Sequence, residues 1–325
     1  MPRIAVVLLN LGGPDTLTAV KPFLFNMFSD WAILRMPKVP RYILAKLIST
    51  LRNKKAKGIY ARMGGGSPLL QNTKTQAAAL EAVLKESGMD AKVFVCMRYW
   101  HPMSAEVSAE VNAFAPDRIV LLPLYPQYST TTTQSSFRDW HKTWAGANYP
   151  VTTTHMINSY QTDRSMIASF VDLAIPLVRK ALGYGRPMLL LSAHGLPQSI
   201  IDAGDPYQVQ VEQTAEAFAT ELKTQFGDVF DSIVCYQSRV GPKKWIDPAT
   251  DHVIEKMAAE KRPLVVVPIA FVSDHSETLV ELDQDYHDLA REHGAPYYGR
   301  VPSLACHPLF IDGLALKVYG AIQGV

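Results

Sequence analysis

The sequence predicts an α/β protein made of two similar parallel-sheet domains, each sheet flanked by helices, with a cleft between them. Short apolar runs of the kind found in strands buried on both faces recur along the chain. Stretches with helical spacing alternate with them, as strand–helix–strand units require. The two halves also echo one another. Leu121-Leu122-Pro123-Leu124-Tyr125 and Val266-Val267-Pro268-Ile269-Ala270 each place an apolar strand, a proline and a loop at the same point of the series. A chain of 325 residues is long enough for two such domains.

Residues 4–9 read as a buried first strand, ended by Asn10-Leu11-Gly12-Gly13-Pro14. A Gly-rich turn in that place can cradle phosphate. This one is neither G-x-G-x-x-G nor G-x-x-x-x-G-K-S/T, so a nucleotide site has little support. Residues 21–60 differ in texture. Phe23, Phe25, Met27, Phe28, Trp31, Ile33, Leu34 and Met36 crowd together, and Ile43, Leu44, Leu47, Ile48 and Leu51 then recur at helical spacing. Arg52, Lys54, Lys55 and Lys57 follow. Taken alone, these residues favour a core-packed amphipathic helix ending in a solvated basic turn, because cations suit a helix C-terminus. The other reading is a hydrophobic lip that takes up a large flat apolar ligand or rests on lipid.

Gly64-Gly65-Gly66-Ser67-Pro68 is a loop, and Ser67 or Asn72 can cap the helix that follows. Strands are expected at 93–97, 119–124 and 151–157, with a helix at 105–114. Arg98-Tyr99-Trp100-His101-Pro102 makes a polar, aromatic strand end. The hydroxyl-rich loop 125–136 can donate hydrogen bonds to an acidic ligand or cap the next helix. The series then restarts, with helices at 165–182, 208–226 and 249–260 and strands at 188–191, 232–236 and 264–269. A last helix, 308–322, is expected to pack back on one domain.

Two stretches of the second half carry chemistry. Ser192-Ala193-His194-Gly195-Leu196-Pro197 follows an apolar strand that Gly195 and Pro197 stop. His194 therefore stands at the carboxyl end of a central strand, where open α/β sheets bind ligands. In Ser273-Asp274-His275-Ser276-Glu277, Asp274 and Glu277 have capping-box spacing, so an α-helix is expected to start there. Leu279, Leu282, Tyr286 and Leu289 share one face, and Glu277, Glu281, Asp285 and Asp288 the other. The bland reading of that acidic face is a solvated one. The functional reading is a histidine followed by carboxylates about one turn apart, able to pass on a hard dication or carry protons away.

Composition closes several other classes. The chain is 48% hydrophobic and 19% charged with a net charge of +2, which fits a globular protein and excludes a nucleic-acid-binding polyelectrolyte. Cys96, Cys235 and Cys306 are far apart and form no C-x-x-C pair, as expected of reduced thiols in a cytoplasmic protein. No signal or transit peptide is expected, and the apolar runs are too short to span a bilayer. H-E-x-x-H and G-x-S-x-G are absent from the sequence, so a zinc protease and a serine hydrolase have no support.

These motifs together resemble the ferrochelatase family. The matching stretches are Ser192–Pro197 as spelled above, Gly204-Asp205-Pro206-Tyr207, Gln237-Ser238-Arg239-Val240-Gly241-Pro242 with Trp245, and the run from Pro268 through Leu279. The stretches Leu9 to Pro14, Gly64 to Pro68, and Pro126-Gln127-Tyr128-Ser129 match as well, in the family's order and over nearly the whole chain. The resemblance implies two Rossmann-like, chelatase-type domains. Residues 1–160 with the lip, joined by the helix 308–325, would form the first, and residues 161–307 carrying His194 and Glu277 the second. It implies insertion of ferrous iron into protoporphyrin IX to give protohaem, the last step of haem synthesis.

By the same resemblance, His194 and Glu277 are metal ligands or proton carriers, and His275 and Glu281 join them as catalytic residues. Asp274 and Asp283 belong to an acidic line behind them. Arg98 and Tyr99 fall on an opposite wall. Arg52, Lys55, Tyr60, Ser67, Tyr128 and Ser238 fall at propionates or porphyrin edges, and Leu11, Trp245 and Phe271 at apolar porphyrin contacts. Some relatives have methionine at the Leu11 position. Relatives with an iron–sulfur cluster have cysteine where this chain has Thr130, together with a cysteine-bearing C-terminal extension. Iron is thus expected as substrate, with no cluster and no resident cofactor. Peripheral contact with a membrane becomes an expectation through the lip. The alternatives are a chelatase for another tetrapyrrole or metal, such as coproporphyrin or cobalt, and a non-catalytic porphyrin or haem carrier.

Overall fold

The computed structural model describes residues 2–324. Two units emerge, Met1–Ser159 with Ile311–Val325, and Tyr160–Phe310. The first holds β1 (Ile4–Asn10), α1 (Val20–Phe28), α2 (Lys38–Ala61), α3 (Leu69–Glu86), β2 (Ala91–Met97), α4 (Ser104–Phe114), β3 (Arg118–Pro123), α5 (Thr133–Gly146) and β4 (Thr153–Met156). The second runs α6 (Arg164–Leu182), β5 (Met188–His194), α7 (Gln198–Ile201), α8 (Tyr207–Phe226), β6 (Asp231–Gln237), α9 (Thr250–Ala259), β7 (Leu264–Pro268), a π-helix (Glu277–Asp285), α10 (Tyr286–Glu292) and β8 (Tyr298–Arg300). The final helix α11 (Pro308–Gln323) is tied to the first unit where Arg118 donates to the Ile322 carbonyl at 2.8 Å.

Each unit contains a four-stranded, wholly parallel sheet. The orders are β2-β1-β3-β4 and β6-β5-β7-β8, so the same topology is built twice. The central strands explain the continuous apolar runs. All seven residues of β1 and all five of β7 are buried, because helices cover both faces of a parallel sheet. Pro123 and Pro268 end equivalent strands, which accounts for the echo between the halves. A short strand that sequence patterning missed, β8, pairs with β7 through Leu264↔Tyr298, Val265↔Gly299 and Val266↔Arg300. Three residues are too few to show a period.

Two local expectations are corrected. Helix α3 begins at Leu69 with Pro68 as its N-cap residue and no side-chain cap there, and Ser67 accepts the Leu69 N–H at 3.3 Å. The second concerns α2. It does bury one side against α1, through Ala45, Ser49 and Tyr60, in a small core with Val20, Phe23, Leu24, Phe28 and Tyr99. Yet Val39, Ile43, Leu47 and Leu51 are 71%, 67%, 54% and 72% exposed. The apolar periodicity merged two stripes one step apart. Ile48 packs on the α1 side and Leu44 is half-buried, whereas Ile43, Leu47 and Leu51 form an outward ridge at i, i+4 spacing.

Candidate active site

In the second sheet the strand order turns back between β5 and β7. That junction is the topological switch point, and ligands bind at its carboxyl edge. His194 is the last residue of β5, and the segment after β7 leads into the π-helix. The strand end is held by two hydrogen bonds. Tyr207 donates its hydroxyl to the His194 carbonyl at 3.0 Å, and the Gly195 N–H donates to the Gln237 carbonyl at 2.8 Å. A Cβ at position 195 would sit 3.0 Å from that same carbonyl and 3.3 Å from the Trp245 ring, so a side chain there would be crowded.

His194 Nδ1 lies 2.8 Å from Glu277 Oε2. Burial would raise the Glu277 carboxyl, but the His194 imidazole and the Ser238 hydroxyl outweigh it and draw its pKa down to about 2. Burial would lower His194, and the Glu277 carboxylate more than reverses this, leaving it raised. The two therefore form an ion pair whenever His194 is protonated. With the imidazole neutral, the carboxylate keeps the proton on Nδ1, which leaves the Nε2 lone pair open.

Glu281 stands one step behind. Its Oε1 accepts from the Ser238 N–H at 2.9 Å and the Tyr286 hydroxyl at 3.1 Å. Its Oε2 accepts from Gln237 Nε2 at 3.1 Å and from the Ser238 hydroxyl. Despite these donors, burial and the neighbouring Glu277 charge push its pKa up. Ser238 also reaches Glu277 Oε2 at 3.2 Å, so one hydroxyl bridges two carboxyls whose affinities for a proton differ. Gln237, fully buried, further accepts from Ser192 at 2.8 Å and donates to the Glu277 carbonyl. The sequence placed Gln237 in the Gln237–Pro242 motif but gave it no role, since a buried amide carries no periodic signal of its own.

The acidic segment is a π-helix, not the α-helix expected. Its i→i+5 bonding puts Glu277 and Glu281 against the strand end, while Asp285 and Asp288 remain exposed. The expected Asp274–Glu277 capping box does not form. Glu277 is taken by His194, and Asp274 by Arg300 at 2.8 Å and Ser303 at 2.8 Å. Asp283 pairs with the same Arg300, at 2.7 and 2.6 Å. His275 Nδ1 accepts the Glu277 N–H at 3.1 Å, its ring meets Phe271 edge-on at 4.6 Å between centroids, and burial lowers its pKa. Trp245 and Phe271 are half-buried.

The first unit holds a separate polar network. Asp30 Oδ2 accepts from Arg98 Nη2 at 2.9 Å, from the Tyr99 hydroxyl at 2.8 Å and from Ser135. Arg98 Nε also donates to Ser135 at 2.8 Å. The hydroxyl loop thus serves this network as well as starting α5. Tyr99 is fully buried and Tyr60 nearly so, which makes both supports for the surface. Arg52 is half-buried with its guanidinium 5.8 Å from the Phe28 ring centroid, and Lys55 is exposed. Leu11, Ser67 and Tyr128 are half-buried. Asp30 follows α1 directly, and no pattern in the sequence distinguished it from a surface aspartate.

Asp30→Asn tests that network. Burial would raise the Asp30 carboxyl, but Arg98 and the hydrogen bonds outweigh it and hold it below the usual range. Its contribution is therefore present above the unfolded value of about 3.9 and is lost as pH falls through the folded one. An amide nitrogen would face donors on either side. The variant is expected to lose about 3 kcal/mol at neutral pH. Urea unfolding at several pH values should show the gap to wild type closing below about pH 4.

Among the described residues, no three His, Cys, Asp or Glu side chains are grouped to hold a metal ion. Cys96 and Cys235 are buried, which pushes each thiol up to about 12 and keeps it protonated, a form that does not ligate iron.

A sequence model of the family described as Ferrochelatase matches residues 3–321. The ferrochelatase of Caulobacter vibrioides is 52% identical over 322 residues, covering 98% of this chain and 90% of that protein. That of Hyphomonas neptunium is 48% identical, covering 98% and 88%. Among solved structures, SirB from Bacillus subtilis with Fe3+ aligns with a TM-score of 0.57 at 13% identity, covering 99% of this chain and 97% of that one. At that identity the likeness shows a shared fold.

Proposed function

The chain belongs to the ferrochelatase family, and from that premise we propose that it inserts ferrous iron into protoporphyrin IX with His194 as the base. The observation that carries this is the 2.8 Å contact between His194 Nδ1 and Glu277 at the switch-point edge. A free-base porphyrin must release two pyrrolic protons as the dication enters. The open Nε2 of neutral His194 accepts one, Glu277 stabilises the imidazolium that results, and the second proton leaves to water. Ser238 connects Glu277 to Glu281, whose raised pKa makes it the better proton store of the two. His194 and Glu277 also offer the iron a nitrogen and an oxygen donor on its way in.

Trp245, beside Gly195, and Phe271, packed against His275, supply apolar surface for the disc. Arg98 is held ready by Asp30. The test is direct: protein, protoporphyrin and ferrous iron mixed without oxygen should convert the free-base absorption spectrum to that of the metalloporphyrin. An unchanged spectrum with active, folded protein would refute the reading.

We further propose that the outward ridge of α2 rests on lipid. Among the described residues no helix is long and apolar enough to cross a membrane. The ridge instead lies on the surface, and Lys38, Arg41, Lys46, Lys54 and Lys55 stand on the same helix. Burying one such side chain is worth roughly 1.5–3 kcal/mol. Ile43→Asp with Leu47→Asp should therefore cut co-sedimentation with anionic vesicles by at least about tenfold and leave turnover with soluble porphyrin intact. Unchanged sedimentation would refute the membrane role.

A further inference from the structure

We propose that Arg300 is a positioning residue, which acts through Asp274 and Asp283 to hold Glu277 against His194. The inference rests on the reading of His194 and Glu277 as the iron-inserting pair, and gives a role to two carboxylates that the pair does not touch. Arg300 ends the edge strand β8, with its side chain only 10% exposed. All three nitrogens of its planar fork are engaged. Nε and Nη2 hold both oxygens of Asp283 at 2.7 and 2.6 Å, and Nη1 holds Asp274 at 2.8 Å. Asp274 precedes the π-helix and Asp283 lies near its end, so one guanidinium grips the segment on either side of Glu277 and Glu281.

The same strand makes a second tie. The Tyr298 hydroxyl donates to the Leu282 carbonyl at 2.7 Å. Strand β8 is itself anchored in register on β7, where Val266 pairs with Arg300. The sheet thus fixes the segment from one side, and His194 and Ser238 meet its carboxylates from the other. A π-helix is an uncommon arrangement that seldom persists beyond a short stretch, so it needs outside support. Asp274 and Asp283 are in this account anchors rather than stations for iron or protons. Ser303, which donates to Asp274 at 2.8 Å, completes the grip.

Arg300→Met should lower kcat by about 10–100-fold, as is usual when the partner that orients a functional side chain is removed. KM for porphyrin should stay within about twofold, because no porphyrin contact is lost. Arg262→Met is the matched control. Arg262 pairs with Asp231 at 2.6 Å in the same unit, at the amino end of the sheet, and its loss should lower stability with kcat unchanged. In a Glu277→Gln background, Arg300→Met should cost little further, since the residue it positions is already disabled. Arg300→Lys and Asp283→Asn, gentler changes, give the same reading if Arg300→Met does not fold. An Arg300 variant that loses only melting temperature, as Arg262→Met does, overturns the inference, as does an equal loss of kcat with and without Glu277. If the wild-type protein inserts no iron, it is the function that fails; normal wild-type turnover with an unaffected Arg300 series defeats the positioning role alone.

Discussion

His194→Ala is expected to lower kcat for iron insertion by about 10²–10⁴-fold, the range supplied by one well-placed base. Porphyrin affinity should survive, because the imidazole contributes little of the apolar surface that binds a flat ring. Anaerobic turnover and quenching of porphyrin fluorescence measure the two separately. Near-normal turnover would remove His194 from the chemistry. A parallel collapse of turnover and affinity would make it a wall of the site, not a base.

Glu277→Gln should come next, with kcat reduced by about 100-fold. The amide can still accept a hydrogen bond from Nδ1, but it cannot stabilise an imidazolium. Glu281→Gln should cost less turnover, since Glu281 does not touch the imidazole, although the amide nitrogen would face donors around both oxygens. The pH dependence has a definite sign. His194 is raised by Glu277, so its share of stability is full below the unfolded value of about 6.5 and is lost as pH rises through the folded one. Glu277 is drawn down to about 2, so its share is present above the unfolded value and is lost as pH falls towards 2. Stability from this pair peaks between those limits. Turnover needs the neutral imidazole, so kcat/KM should climb as pH passes the folded His194 value. In Glu277→Gln that acid limb should move to lower pH. A limb at the same pH in both proteins would mean that another group governs it.

Much of this frame was legible in the chain. Buried parallel strands announce themselves as apolar runs, and β1, β5 and β7 were readable for that reason. His194 was readable because a glycine and a proline stop its strand. The π-helix was not. Glu277, Glu281 and Asp285 recur every fourth residue, which an α-helix explains equally well, so the spacing carries no mark of the wider coil. Asp30 and Arg300 were missed for a related reason. Each derives its importance from partners far away in the chain, Arg98 at one and Asp274 with Asp283 at the other. The outward ridge of α2 was misjudged because periodicity gives the spacing of a stripe but not the direction in which it faces.

Because one topology is built twice, every position in the second sheet has a counterpart in the first. His194 ends the central strand opposite Gln237, and Asn10 ends the central strand opposite Met97. The two residues occupy the same address and follow different trades. Asn10 is buried, donates its amide to Thr73 of α3 at 3.0 Å and accepts the Leu11 N–H at 2.8 Å, so its side chain is turned inward on the protein's own frame. His194 keeps one nitrogen uncommitted. With His194 as the base proposed above, a repeated scaffold of this kind frees one copy to specialise in reaction while its twin specialises in architecture. A change at the reactive address is then paid in turnover, and a change at its twin in folding.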